Sequence, residues 1–217
     1  MKYNILCFGD SNTWGYDPGT GQRLDKELRW PGVLARELGE NYNVIEDSIS
    51  GCTTVFSDPY DDLRNGKENL GHALAAHAPL SLLIISLGTN DLKYTNALGS
   101  SKGLNELLRR MDNVDGVYPV PSGIPNFPEG TKVLVISPIA LHEEIYDRRP
   151  EAFLRSKYEE SLLFAEYYEP VARAHKAYFL DAAKYAVPSV LDCVHMDVQS
   201  HASLGCAIAE KIKEIFE

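Results

Sequence analysis

The sequence predicts a doubly wound α/β domain. Two observations lead to this prediction: continuously apolar segments, and their alternation with segments whose apolar residues recur at helical spacing. The segments "LLIISL" and "VLVIS" are apolar throughout rather than at every second position, which is typical of strands covered on both faces. Because strands and helices alternate along the chain, the strands should form one parallel sheet with helices on each side.

Five short apolar runs, each bounded by polar or turn-forming residues, are predicted to be strands. They are Tyr3–Phe8, Asn43–Asp47, Ser81–Leu87, Lys132–Ser137 and Ala177–Asp181. Five helices are predicted around them, of which the first, "WPGVLARELG", ends at a glycine. The other four are Leu70–His77, Leu104–Met111, Glu151 to about His175, and about His201 to Phe216.

Two long segments between these elements are predicted to be loops. One is Thr53–Asn65, and the other is Asp112–Gly130, which is rich in proline and glycine. Loops of this length within a compact domain often carry function or lie at an interface. Since no repeat, low-complexity stretch or linker divides the chain, we expect residues 1–217 to form a single domain.

Composition and charge restrict the function classes. Lys and Arg number 21, Asp and Glu number 31, and the formal net charge is −10. This balance argues against a nucleic-acid partner, because phosphate binding needs clustered basic side chains. We expect no membrane partner and a cytoplasmic location, since no window is long and apolar enough for a span and the first residues do not resemble a secretion signal. The four cysteines should be reduced thiols, with Cys7 and Cys206 in the core.

Polar clusters follow four of the predicted strands. "GDSN" follows the first strand, "SISG" the second, "GTND" the third and "LDCVH" the fifth. Because ligands of an open parallel sheet bind beyond the carboxyl ends of its strands, these clusters should converge on one functional site.

The chemistry of these clusters is complementary. Ser11 offers a hydroxyl that needs a nearby base to become a nucleophile, and His195 can be that base because imidazole titrates near neutral pH. Asp192 lies three residues earlier and could orient the imidazole within one turn. The backbone N–H groups of Ser11 and Gly51 and the side-chain amide of Asn90 are candidate donors to a developing oxyanion.

Further residues near these clusters have candidate roles. Asp10 and Asp91 are predicted to hold their loops through hydrogen bonds to backbone N–H groups. Three side chains are candidates for lining a substrate pocket: Asn12, Trp14 and His142.

Together the four clusters resemble the SGNH hydrolases, also called GDSL-type esterases, which are named for Ser, Gly, Asn and His. The matching residues are Ser11 in "FGDSN", Gly51 in "SISGCTT", Asn90 in "LGTND" and His195 in "DCVH", and Asp192 completes the triad by the same match. The stretches "ILCFGDSNTWGYDP" and "LGTNDLK" are also similar to the arylesterase and acyltransferase branch. One departure is Asn12, where many members carry Leu. Because of this difference, the substrates of other family members do not carry over to this chain in detail.

The resemblance implies a three-layer α/β/α sandwich around a flavodoxin-like five-stranded parallel sheet. It implies a serine esterase that takes a small-molecule ester, above all an acetyl ester, and needs no metal or organic cofactor. It also implies a homo-oligomer. Two alternatives remain open: an acyltransferase that uses an alcohol in place of water, and a carbohydrate acetylesterase as the specific role.

Other classes of protein fit fewer of these residues. A non-catalytic flavodoxin-like or nucleotide-binding domain would need a glycine-rich phosphate loop, and "GDSNTWG" lacks the spacing of either standard pattern. A binding protein on an inactive esterase fold should lack a triad member, whereas Ser11, Asp192 and His195 are all present. His195, His201 and Cys193 do not have the spacing of a zinc site, so no metal is expected.

Overall fold

The computed structural model of the protein describes residues 2–148 and 154–217. In this part of the chain, five strands each lie within one residue of their predicted bounds. They are β1 (Tyr3–Gly9), β2 (Tyr42–Ser48), β3 (Leu82–Ser86), β4 (Val133–Ser137) and β5 (Tyr178–Asp181). All neighbouring pairs are parallel, and the order across the sheet is β2-β1-β3-β4-β5.

Helices connect the strands and cover the sheet. In chain order the α-helices of the described residues are α1 (Ser11–Trp14), α2 (Trp30–Leu38), α3 (Gly66–His77), α4 (Ala97–Met111), α5 (Val114–Val117), α6 (Ile145–Arg148), α7 (Tyr158–Ser161), α8 (Phe164–Ala174) and α9 (Val198–Phe216). A 3₁₀ helix, Thr89–Lys93, follows β3.

Each face of the sheet has its own apolar core, because successive side chains of a strand point to opposite faces. Leu6 and Phe8 of β1 belong to the core that includes α3, α4 and α8. Ile5 and Cys7 belong to the core that includes α2 and α9. The protein is therefore a three-layer α/β/α sandwich, which confirms the predicted fold class.

The prediction of one continuous helix from Glu151 to about His175 is wrong. Its first residues, 151–153, lie outside the described part of the chain, and the rest contains α7 and α8, which two residues separate. At this break the Ser161 hydroxyl donates to the Tyr158 carbonyl and accepts from the Leu141 N–H. A serine side chain that bonds the backbone in this way competes with regular helix hydrogen bonds.

Two smaller predictions also need correction. Cys206 is exposed rather than in the core, because the buried face of α9 includes Leu204, Gly205 and Ile208 and leaves Cys206 on the opposite side. The segment Asp112–Gly130 is not a loop throughout, since it includes the short helix α5. Among the described residues, no helix combines the length and apolar character that crossing a membrane requires.

Candidate active site

The carboxyl ends of three neighbouring strands, β2, β1 and β3, lie level with one another. Gly9, the last residue of β1, is in register with Ser48 of β2 and Ser86 of β3. The turn after β1 therefore lies between the segments that follow β2 and β3. The Ile49 N–H also donates to the Gly9 carbonyl over 3.2 Å, which joins two of these segments directly.

Ser11 begins the one-turn helix α1 immediately after β1. The Asp10 carboxylate accepts a hydrogen bond from the Asn12 N–H over 3.0 Å and so caps this helix. The helix ends at Gly15, whose φ of 86° is in the left-handed region, where glycine has no steric penalty. Ser11 itself is only 7% exposed, so its hydroxyl is held in a defined position at the edge of the sheet.

Three of the predicted residues form a continuous chain of hydrogen bonds. The His195 Nε2 atom lies 2.8 Å from Ser11 Oγ, and His195 Nδ1 lies 2.6 Å from Asp192 Oδ2. A carboxylate can only accept, so the geometry suits the tautomer in which Nδ1–H donates to Asp192 and Nε2 accepts from the Ser11 hydroxyl. This arrangement can remove a proton from Ser11 and stabilise the imidazolium that results.

Asp192 is held by its own loop as well as by the imidazole. Its Oδ1 atom accepts from the backbone N–H groups of Val194, over 3.0 Å, and His195, over 2.9 Å. Burial raises the pKa of this carboxyl, but the hydrogen bonds and charge of His195 and the Val194 N–H outweigh burial and leave the pKa below its ordinary value. The carboxylate is therefore ionised at neutral pH.

Asn12 connects the Ser11 turn to the His195 loop. Its side-chain carbonyl accepts from the Met196 N–H over 3.0 Å, and its side-chain N–H donates to the Val194 carbonyl over 3.4 Å. These two backbone groups belong to the residues on either side of His195. Asn12 was predicted to line a pocket, and it does border a cavity of about 20 Å³. Its two hydrogen bonds to the His195 loop were not predicted.

Gly51 and Asn90 follow β2 and β3 and lie on either side of Cys52. The Asn90 amide donates to the Cys52 carbonyl over 3.1 Å, which leaves its second N–H for another acceptor. Gly51 has a φ of 85°, and a Cβ atom there would lie 2.8 Å from Arg64 Nε, so a side chain would strain the backbone and displace Arg64. Within the described residues, the Gly51 N–H donates no hydrogen bond to a protein acceptor.

Two fully buried carboxylates support this edge of the sheet. Asp91 accepts from the Thr54 N–H over 2.8 Å and from the hydroxyls of Thr54 and Ser100 over 2.6 Å each, so it holds the loop that follows Gly51. Burial raises the pKa of Asp91 and that of Asp10 to about 6. The predicted role of holding its own loop agrees with the contact of Asp10, whereas Asp91 accepts its backbone N–H bond from the loop that follows Gly51 rather than from its own.

The remaining predicted pocket residues lie around this centre. Trp14 is half-buried, and the Arg23 guanidinium lies 5.0 Å from its ring. His142 donates its backbone N–H to the Cys193 carbonyl over 2.9 Å and lines a separate cavity of about 580 Å³ beside residues 183–190. Tyr16, by contrast, has its ring 4.3 Å from the His195 ring.

Sequence reasoning missed the contacts of Asn12, Tyr16 and Arg64 with this site. They join residues far apart along the chain and leave no local pattern. Lys93 was also missed, although its spacing from Asn90 is a usable signal. In the described ranges 2–148 and 154–217, no group of three or more His, Cys, Asp or Glu side chains is arranged to hold a metal ion.

The described residues form an α/β fold that joins Ser11, His195 and Asp192 by hydrogen bonds beyond the carboxyl ends of its strands. The model of the GDSL-like lipase/acylhydrolase family matches residues 7–201. One similar solved structure is Est24, a carbohydrate acetylesterase from Sinorhizobium meliloti, with 34% identity, a TM-score of 0.89 and coverage of 99% of this chain and 100% of Est24.

A second similar structure is the aryl esterase of M. smegmatis, with 33% identity, a TM-score of 0.87 and coverage of 98% of this chain and 99% of that one. The comparison with curated protein sequences gives no match. The chain belongs to the GDSL-like lipase/acylhydrolase family. It is a carboxylic ester hydrolase.

Proposed function

We propose that the protein is a serine esterase that hydrolyses short-chain esters, above all acetyl esters, through an acyl-enzyme on Ser11. The observation that carries this proposal is the pair of hydrogen bonds that joins Ser11, His195 and Asp192 over 2.8 Å and 2.6 Å. A nucleophile, a base and a group that orients the base are the parts that acyl transfer requires.

In the first half-reaction, Ser11 Oγ attacks the ester carbonyl while His195 Nε2 takes the hydroxyl proton. The ionised Asp192 stabilises the imidazolium through Nδ1–H. His195 then gives the proton to the leaving alcohol, and the C–O bond to that alcohol breaks. In the second half-reaction, water attacks the acyl-enzyme with His195 again as the base, which releases the acid and restores the Ser11 hydroxyl.

Donors on three strand ends would stabilise the tetrahedral intermediate. We assign this role to the backbone N–H groups of Ser11 and Gly51 and to the Asn90 amide. Support comes from the level strand ends, the bond from Asn90 to Cys52 and the missing side chain at Gly51. Each such donor typically contributes about 3 kcal/mol of transition-state stabilisation.

The preference for an acetyl group is supported by the similarity of this chain to Est24, a carbohydrate acetylesterase. We test it with initial rates on p-nitrophenyl acetate, butyrate and octanoate. The acetate should be hydrolysed fastest. Ser11→Ala should lower kcat/KM on the acetate by about 10⁴-fold or more, because the nucleophile is removed.

A fluorophosphonate probe provides an independent readout, since it should label the wild-type protein but not Ser11→Ala. The matched control is Ser122→Ala, which removes an exposed hydroxyl between β4 and α5 and should leave both labelling and rates at the wild-type level. Labelling or hydrolysis that survives in Ser11→Ala would assign the nucleophile elsewhere.

A further inference from the structure

A cavity of about 260 Å³ lies between the loop after β2 and the 3₁₀ helix after β3. Its lining residues are Asp58, Pro59, Tyr60, Arg64, Lys93 and Tyr94. Both tyrosines are accessible, with Tyr60 96% exposed and Tyr94 41% exposed. The cavity therefore offers aromatic and charged groups together, which is a suitable environment for an organic ring that carries a polar substituent.

This cavity adjoins the donors that we assign to the oxyanion. Arg64 lies directly over Gly51, since three of its side-chain atoms are within 3.1 Å of the position that a Gly51 Cβ would take. Lys93 lies three residues after Asn90 in the same 3₁₀ helix. Side chains three residues apart in a 3₁₀ helix point in the same direction, so Lys93 extends on the side of the helix from which Asn90 reaches Cys52.

The charges in the cavity are unequally compensated. Asp58 Oδ2 accepts from Arg64, over 3.3 Å, and from the Tyr94 hydroxyl, over 3.0 Å. Arg64 also forms an ion pair with Asp61 over 2.9 Å. Within the described residues, by contrast, the Lys93 ammonium donates no hydrogen bond and forms no ion pair in contact.

The surroundings of Lys93 indicate that its charge faces the site. Burial lowers the pKa of Lys93, and the nearby Arg64 charge lowers it further, whereas Asp58 and Asp10 act in the opposite direction. The influence is mutual, since the Lys93 charge helps to lower the pKa of Asp10, the residue before Ser11. A half-buried ammonium close to the nucleophile turn can therefore gain stabilisation from an anionic ligand.

We propose that this cavity binds the alcohol portion of the ester and that Lys93 selects alcohols that carry a carboxylate. The inference rests on the proposed function, in which the acyl group is small. The cavity is larger than an acetyl group needs, and the rings of Tyr60 and Tyr94 can pack against the body of the alcohol. An ammonium that donates to a carboxylate forms a charge-assisted hydrogen bond, which is stronger than a bond to a neutral group.

The test compares two acetyl esters of similar shape, 4-acetoxybenzoate and 4-acetoxybenzamide. The measured quantity is the ratio of kcat/KM for the carboxylate to that for the amide. Lys93→Met should lower this ratio about tenfold, as expected when a charge-assisted hydrogen bond is lost. Any intrinsic difference in reactivity between the esters cancels when the ratio of a variant is divided by that of the wild type.

Three further variants complete the test. Lys93→Arg keeps the positive charge and should restore most of the preference, whereas Lys93→Gln should repeat the loss. Lys102→Met is the matched control, because it makes the same change of charge at an exposed residue of α4, and its ratio should equal that of the wild type.

Equal ratios in the wild type, Lys93→Met and Lys93→Gln would overturn the inference while leaving the esterase proposal intact. A ratio that falls equally in Lys102→Met would also overturn it, since only net charge would then matter. If the wild type hydrolyses neither ester and resists the fluorophosphonate probe, the esterase proposal itself fails.

Discussion

The turn after β1 and the loop after β5 meet at the hydrogen bond between Ser11 and His195, yet they are built differently. The turn is short and mostly buried, and the Asp10 carbonyl accepts from the N–H groups of Thr13 and Trp14. The loop, residues 187–197, is longer, and Val187 and Leu191 at its surface are 64% and 60% exposed. Local backbone bonds hold the turn. The loop has local bonds as well, from the Ser189 N–H to the His195 carbonyl and from the Cys193 N–H to the Ser189 carbonyl, and it is also joined to the turn through Asn12.

The carboxylates of these two regions show the same contrast. The Asp10 side chain is fully buried and accepts one hydrogen bond, from the Asn12 N–H, and burial raises its pKa to about 6. Asp192 is also largely buried, but it accepts two backbone N–H groups and the imidazole N–H, and its pKa is lowered. Burial therefore outweighs the hydrogen bond at Asp10, whereas at Asp192 the hydrogen bonds and the charge of His195 outweigh burial.

The largest expected effect comes from removing the charge of Asp192. Asp192→Asn should lower kcat on p-nitrophenyl acetate by about 10³- to 10⁴-fold, because the amide no longer stabilises the imidazolium and favours the wrong tautomer of His195. The matched control is Asp197→Asn in the same loop. Asp197 caps α9 by accepting from the Ser200 N–H, and asparagine caps helices equally well.

Asp197→Asn should therefore stay within about twofold of the wild-type rate. If Asp192→Asn keeps more than about a tenth of the wild-type kcat, Asp192 only shapes its loop and does not support His195 electrostatically.

The sequence predicts the strands and the strand-end turns of this protein well, because both depend on local patterns. Buried parallel strands are continuous apolar runs, and the sheet topology brings their carboxyl ends together. Ser11, His195 and Asp192 could therefore be placed at one site from the sequence, and the structure joins them by hydrogen bonds.

Contacts between distant segments could not be predicted in the same way. The bonds from Asn12 to residues 194 and 196 span more than 180 positions, and the packing of Arg64 on Gly51 depends on how the loop after β2 folds back. The break between α7 and α8 likewise depends on a bond between Ser161 and Leu141, which no helical periodicity reveals.

A smaller effect is expected from removing the hydrogen bonds by which Asn12 joins the turn after β1 to the His195 loop. Asn12→Ala removes both side-chain bonds to the His195 loop and should lower kcat about 30-fold, since small misplacements of catalytic groups are costly. KM should change little if Asn12 positions His195 rather than binding substrate. Steady-state kinetics on p-nitrophenyl acetate separate the two parameters.

Thr13→Val is the control for this variant. The Thr13 hydroxyl is buried and has no hydrogen-bond partner among the described residues, so its loss should leave kcat unchanged. A rise in KM without a fall in kcat for Asn12→Ala would show that Asn12 contacts substrate instead.

The smallest expected effect concerns stability and tests the buried Asp10 carboxyl of the turn after β1. Because the folded-state pKa of Asp10 is raised, this group stabilises the fold below its unfolded pKa, near 3.8, and that contribution is lost as the pH rises through about 6. Asp10→Asn keeps an acceptor for the Asn12 N–H but cannot ionise. The variant should therefore gain about 3 kcal/mol in unfolding free energy over the wild type at pH 8.

Urea unfolding at pH 8 and at pH 4.5 measures this gain. It should fall to about a third at the lower pH, because Asp10 is then protonated in the folded wild type but still mostly ionised in the unfolded chain. The charged groups that act on Asp10 are His195, Lys93 and Asp91. Asp25→Asn makes the same change at an exposed residue and should show no such pH dependence. An equal gain for Asp10→Asn at both pH values would mean that the buried carboxylate is accommodated without cost, and the contrast with Asp192 would then have to rest on geometry alone.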